Sequence, residues 1–314
     1  MCKFLILFFI QILTFQAFAQ VNGDIIEKVE LKNFEEFIGY IKSTESRDSV
    51  VLDRSRFEHF NKVQVFGITY WSDSLRVKGF LLQPMAQGKY PAIIYNRGGS
   101  LEHGSLTHNA ASIGLGELAR LANHEYVVVA SQYRGNGGGE GKEEYGGRDI
   151  NDVLNLIPLL ESQPNVDASK LGMLGWSRGG MTTFLAIKET DKIKAIALGA
   201  PSTNLTRTIL DRPLLDEWWS DFIPNYNLNK AEVLKRRSAI FWVNELPKNI
   251  PILLLQGEDD IALHPNFTLD FAKELTKYKI PYRLIKFEKG SHSLKEYREE
   301  VFEELFHWFR KYLR

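Results

Sequence analysis

Apolar residues follow two rhythms along this chain. Residues 63–71 (VQVFGITYW) and 75–82 (LRVKGFLL) alternate and are rich in β-branched and aromatic side chains. With Ser72-Asp73-Ser74 between them, they predict an antiparallel hairpin. The rhythm then changes. Residues 91–95 (PAIIY), 126–131 (YVVVAS), 171–174 (LGML), 193–198 (IKAIAL), 251–255 (PILLL) and 282–287 (YRLIKF) are short continuous apolar runs. Such runs suit strands covered on both faces of a parallel sheet. Stretches with helical spacing separate most of them, at 115–122, 149–160, 177–188, 269–278 and 294–313. Strand–helix alternation predicts right-handed βαβ units and a doubly wound, mostly parallel α/β sheet. In the last helix Tyr297, Val301, Leu305, Trp308 and Tyr312 recur at helical spacing, which predicts core contact rather than a membrane face.

Two segments stand outside the alternation. Residues 24–59 are polar and charged with helical spacing and predict an N-terminal cover. Residues 201–249 carry Leu210, Leu214, Leu215, Trp218, Trp219 and Trp242 without a strand pattern. They predict a mostly helical insertion that caps a site and supplies an apolar wall. The bland alternative is a helix pair packed on the sheet edge. No repeat or low-complexity stretch divides the chain, so residues 20–314 read as a single domain with this insertion.

Residues 1–19 follow a different logic. Lys3 precedes an apolar run at 4–15, and Ala17-Phe18-Ala19 places small residues where a signal peptidase reads. The run is short for a membrane span and Gln11 interrupts it. The expectation is a cleaved export signal, with Gln20 as the new N-terminus and a periplasmic or secreted product. The one cysteine, Cys2, lies inside that signal. The mature chain then has no disulfide, no thiol nucleophile and no thiolate metal site, and must stand on its core. Lys+Arg and Asp+Glu number 39 each, giving zero formal net charge. That balance offers no electrostatic case for a nucleic-acid partner. The expected partner is a small molecule or short peptide.

Gly175-Trp176-Ser177-Arg178-Gly179 is G-x-S-x-G, directly after the apolar run 171–174 and opening a helical stretch. Strand–turn–helix around that pentapeptide is the setting of a nucleophile elbow, the mark of the α/β-hydrolase fold. The elbow strains the serine backbone, and side chains at the flanking positions would collide with neighbours. Ser177 is the candidate nucleophile. A serine hydroxyl needs a base, and this fold supplies acid and histidine after later strands. Gly257-Glu258-Asp259-Asp260 follows the run 251–255, and Ser291-His292-Ser293 follows 282–287. His292 is the candidate general base. Three carboxylates, Glu258, Asp259 and Asp260, compete to orient it.

The oxyanion needs preorganised donors. The backbone N–H of Arg178 is one candidate. The loop Asn96-Arg97-Gly98-Gly99-Ser100 is expected to give the second, near Arg97 or Gly98. Trp176, Tyr133, Trp218 and Trp219 are candidates for the pocket wall. His103 and His108 lie in a loop near the oxyanion side, while His59, His124, His264 and His307 read as surface histidines. No metal-site spacing occurs, and no metal or other cofactor is expected. Gly135 to Gly141 is glycine-rich but lacks a P-loop lysine, so a mobile loop bordering the cleft is the expectation.

Taken together, these motifs resemble the catalytic domain of the prolyl oligopeptidase family of serine peptidases. The resemblance is carried by Gly175-Trp176-Ser177-Arg178-Gly179-Gly180, Tyr133-Arg134-Gly135, Gly146-Gly147-Arg148-Asp149, Arg237-Ser238, the Gly257-x-x-Asp260 step and Gly290-Ser291-His292. It covers about residues 63–314. It implies Asp260 as the acid, and hydrolysis of peptide bonds in short peptides. Two features depart from the family pattern. Residues 20–62 are too few for the β-propeller that family peptidases usually carry. The oxyanion-side loop also lacks a tyrosine or His-Gly-Gly pattern. A carboxylesterase or other acyl hydrolase with the same machinery is the alternative.

Overall fold

The computed structural model describes residues 20–44, 57–106 and 113–314. The expected export signal and His108 lie outside the described residues. Nine strands form one sheet in the order β1-β2-β3-β5-β4-β6-β7-β8-β9. They are β1 (Ile25–Glu30), β2 (Val63–Ser72), β3 (Leu75–Pro84), β4 (Tyr90–Asn96), β5 (Val127–Ser131), β6 (Val166–Trp176), β7 (Ile193–Gly199), β8 (Ile252–Gly257) and β9 (Tyr282–Phe287). Helices α1 (Phe34–Thr44), α2 (Leu115–Asn123), α3 (Ile150–Leu154), α4 (Leu156–Glu161) and α5 (Arg178–Ile187) lie before β7. Helices α6 (Leu205–Asp211), α7 (Leu214–Ser220) and α8 (Tyr226–Arg236) fall between β7 and β8. Helices α9 (Asn266–Lys277) and α10 (Arg298–Leu313) flank β9.

The pairs β1/β2, β2/β3 and β3/β5 are antiparallel, and every pair from β5 through β9 is parallel. Alternation in the central strands explains the two-sided burial. Ile93 and Tyr95 of β4 join a core with α2 and α10, including Leu118, Leu121 and Phe309. Ala92 and Ile94 join the opposite core with α4, α5 and α9, including Leu160, Phe184 and Phe271. Each such fully buried aliphatic or aromatic side chain contributes roughly 1.5–3 kcal/mol. This is the α/β-hydrolase architecture.

Two expectations about local structure are corrected. Residues 25–30 form an edge strand rather than helix, paired antiparallel to β2. Five of its six side chains are exposed, so no buried alternation marks it in the sequence. Its Glu27 accepts from Thr69 and from Lys78, and Lys28 lies over the Phe66 ring. The stretch 149–160 is two helices with Asn155 between them. Pro158 cannot donate a backbone hydrogen bond, so it suits the first turn of a new helix better than the middle of an old one.

Strand β4 neighbours β5 on one side and β6 on the other. The order in which strands are added reverses there, from β5 on one side of β4 to β6 on the other, and the loops after β4 and β6 part to leave a crevice. The segment between β7 and β8 sits on the same edge. It builds its own apolar cluster from Trp219, Phe222, Ile223, Tyr226 and Leu234, packed on Tyr145 and Met181 of the main body. Arg237 fixes it by donating to the carbonyls of Tyr145 (2.7 Å) and Glu144 (3.2 Å).

Candidate active site

Ser177 stands between the end of β6 and the start of α5 with φ 55° and ψ −119°. A positive φ at a non-glycine residue is strained and persists only where surroundings enforce it. Three backbone bonds enforce it here. The Ser177 N–H donates to Gly199 O (2.8 Å), and the Ser177 carbonyl accepts from Gly180 (2.9 Å) and Ser202 (2.9 Å). The flanking glycines are steric necessities. A Cβ on Gly175 would collide with the Gly179 carbonyl and the Thr183 hydroxyl, and one on Gly179 would collide with the Asn96 carbonyl.

His292 sits in the loop after β9, and its Nδ1 lies 2.7 Å from Asp260 Oδ2. Of the three candidate carboxylates, Asp260 is the one that reaches the ring. Glu258 and Asp259 are exposed, and Glu258 pairs with Lys286. Asp260 is buried. Its Oδ1 accepts from the N–H groups of Ala262 and Leu263, both at 2.8 Å. Its Oδ2 also accepts from Gln256 at 3.2 Å, and Thr268 in turn donates to Gln256. Burial pushes the carboxyl up, but the His292 contact and the two N–H donors outweigh it and hold Asp260 below its ordinary value. Trp176 ties the histidine loop to the elbow by donating from Nε1 to the His292 carbonyl at 3.0 Å.

Ser177 and His292 line one cleft of about 310 Å³, together with Trp176, Trp218 and Trp219. No hydrogen bond joins the Ser177 hydroxyl to the His292 ring among the described residues. Catalytic hydrogen bonds are often long or poorly aligned until substrate binds. Gly98, Gly99, Ser100 and His103 also line the cleft. Gly98 packs so closely that a Cβ there would lie 3.3 Å from the Ser177 Cβ. The Arg178 N–H is among the unsatisfied donors of the first helical turn.

The Arg97 side chain is buried, and its guanidinium donates to the Gln132 carbonyl at 2.7 Å. Two expected placements are corrected. Tyr133 is not a wall residue of the cleft. Its backbone takes φ 63°, its ring is fully buried, and the guanidinium carbons of Arg97 and Arg178 lie 4.8 and 4.9 Å from it. The glycine-rich loop does not border the cleft. It folds back on β3, with Gly135 N–H donating to Glu140 O and Glu140 N–H to Arg76 O.

The sequence reading missed the cluster beneath the elbow. The Arg178 guanidinium donates to Glu143, to Asp149 Oδ2 (2.6 Å) and to the Gly99 carbonyl (2.9 Å). Glu143 also accepts from Asn136 (2.7 Å) and from the Leu101 N–H (3.2 Å). The residue after Ser177 thus clamps the loop that carries Gly98. One signal was available: a charged residue inside G-x-S-x-G beside a buried strand must find partners.

Fold and site together define an α/β-hydrolase with a serine, a histidine and a carboxylate at one sheet edge. The model of the prolyl oligopeptidase family matches residues 113–314, and the chain belongs to that family of serine peptidases. An uncharacterized peptidase of Bacillus subtilis, YtmA, is 29% identical over 228 residues, covering 70% of this chain and 84% of that protein. Acylamino-acid-releasing enzyme 1 of Oryza sativa is 25% identical over 217 residues, covering 62% of this chain and 27% of the enzyme. Among solved structures, the acylaminoacyl peptidase of Pyrococcus horikoshii superposes with a TM-score of 0.68 at 21% identity, covering 82% of this chain and 43% of that one. The chain therefore spans most of one relative but less than half of the larger enzymes.

Proposed function

We propose that this chain hydrolyses amide bonds in short peptides through an acyl-enzyme on Ser177. The Ser177 oxygen attacks the carbonyl carbon while His292 Nε2 takes its proton. Asp260 holds the ring by Nδ1 and stabilises the imidazolium. The Arg178 and Gly98 N–H groups meet the developing oxyanion. The imidazolium then protonates the departing amine, and water repeats the sequence to release the acid. The observation that carries this reading is the convergence in one cleft of a strained, accessible Ser177 and a His292 bound to Asp260 at 2.7 Å. A cleft of about 310 Å³ supports a short substrate, since it is at the small end for ligand sites.

A second reading is an acyl esterase. The loop lining the cleft beside Ser177 offers mainly glycine backbone, and an ester needs less help in expelling its leaving group. A fluorophosphonate probe separates hydrolase from bystander. Labelling of wild type and none of Ser177→Ala is the expected result; a folded wild type that takes no label overturns both readings. Turnover of matched aminoacyl amides and esters then decides between them.

A further inference from the structure

The lining of the cleft has an uneven charge. Among the described residues Arg178 and Arg212 contribute to it, and no aspartate or glutamate does. Arg178 is neutralised from below by Glu143 and Asp149. Arg212 is not. It follows α6 at the inner margin of the insertion, is exposed, and forms no ion pair among the described residues. Among the described residues its side chain makes one hydrogen bond, from a guanidinium nitrogen to the Ala262 carbonyl at a long 3.4 Å. That carbonyl belongs to the short loop whose Ala262 N–H binds Asp260 at 2.8 Å. The guanidinium therefore reaches across from the insertion to the loop that holds the carboxylate behind His292.

We propose that Arg212 receives a carboxylate of the substrate, so that the preferred substrates are short peptides or acyl compounds carrying a negative charge close to the scissile bond. The inference rests on reading this cleft as the substrate site. Its physical basis is direct. A guanidinium presents paired N–H donors that match a carboxylate, and charge-assisted bonds of this kind are stronger than neutral ones. A single weak carbonyl contact leaves most of those donors free for a ligand. A free α-amino group would meet the opposite situation, the Arg212 guanidinium with no carboxylate among the described lining residues to pair with. Thr208 and Ser202, which also line the cleft, add neutral polar groups beside the arginine. The carboxylate could be the C-terminus of a short peptide or an acidic side chain; both present the same chemistry to Arg212.

The test uses Ser177→Ala protein, so that ligand is not consumed, and follows quenching of tryptophan fluorescence from the cleft. One arm compares a tripeptide with its C-terminal amide. The other compares a glutamate-containing amidated peptide with its glutamine counterpart. In at least one arm the anionic ligand should bind on the order of tenfold or more tighter than its neutral partner. The arm that shows the preference identifies the source of the carboxylate. The double variant Ser177→Ala/Arg212→Gln should bind both members of the pair equally, and Arg212→Lys should restore part of the difference. Raising the salt concentration should shrink the ratio. Equal binding within both pairs in the Ser177→Ala protein, or a preference that survives Arg212→Gln, overturns the inference. Failure of the wild type to take a fluorophosphonate label would instead count against hydrolysis while leaving these binding ratios to stand.

Discussion

Replacing Arg178 by methionine isolates the cluster beneath the elbow. The side chain is 1% exposed and its partners Glu143 and Asp149 are 0% and 1% exposed. Methionine fills much of the space without the charge. It leaves Asp149 without its cation and Glu143 with only the longer Arg97 contact at 3.5 Å, and removing one partner of a buried pair costs about 3–5 kcal/mol. The lower end applies, because both acids keep other donors. Glu143 retains Asn136 at 2.7 Å, and Asp149 retains the N–H groups of Gly147 (2.7 Å) and Gly146 (3.0 Å). A loss of about 3 kcal/mol corresponds to a fall in melting temperature of roughly 4–6 °C for a domain of this size. Lost contacts to the rings of Tyr133 and Tyr145 work in the same direction. The assay is thermal unfolding followed by near-ultraviolet circular dichroism, with urea unfolding as a second measure. Adding Glu143→Gln to Arg178→Met removes one stranded charge, so the double variant should lose less than the sum of the two single losses. A melting temperature within about 2 °C of wild type for Arg178→Met, or strictly additive losses, would refute the reasoning.

Asp260→Asn should lower kcat by about 10³–10⁴-fold, because an amide neither fixes the tautomer of His292 nor stabilises its cation. The same change has a pH signature. Asp260 is held below its ordinary value in the folded state, so its ionised form stabilises the fold fully above the unfolded value and loses that contribution as pH falls through the folded one. The stability gap between wild type and Asp260→Asn should therefore close below about pH 4; a gap that is constant from pH 7 to pH 3 would contradict it. Export with cleavage after Ala19 remains our proposal for residues 1–19. Expression in a bacterial host and N-terminal sequencing of the extracytoplasmic product should begin at Gln20, and an intact N-terminus on that product would reject it.

The parts of the molecule that sequence reveals are those whose constraint is local or periodic. The runs at 91–95, 193–198 and 251–255 are apolar because both faces of their strands are covered, so the strands are visible one at a time. The elbow is visible because glycines at 175 and 179 answer collisions within a few residues of Ser177 or with the adjacent strand. What escapes notice is held by distant partners. Strand β1 survives at a sheet edge through backbone pairing with β2, and its exposed Glu27 and Lys28 disguise it as surface helix. Tyr133 looks like a pocket aromatic beside a motif, yet two guanidinium groups from elsewhere in the chain enclose it. Glu143 looks like one acid in a polar loop, and its importance follows only from Arg178, 35 residues later in the chain.

Topology explains why these distant partners meet. All strands from β5 to β9 run in the same direction, so the loops after β4, β6, β8 and β9 emerge at one edge of the sheet. An insertion between β7 and β8 must emerge there too, beside Ser177, whatever its sequence. It forms its own apolar cluster and is anchored by Arg237, so its inner margin can vary without disturbing the strands. On the proposed function, chemistry and selectivity fall to different parts of the chain. Ser177, Asp260 and His292 depend on the sheet, whereas Arg212, Leu215 and Trp218 depend on the insertion. A change at Arg212 should for that reason alter which substrates enter, while a change at Arg178 reaches the elbow itself.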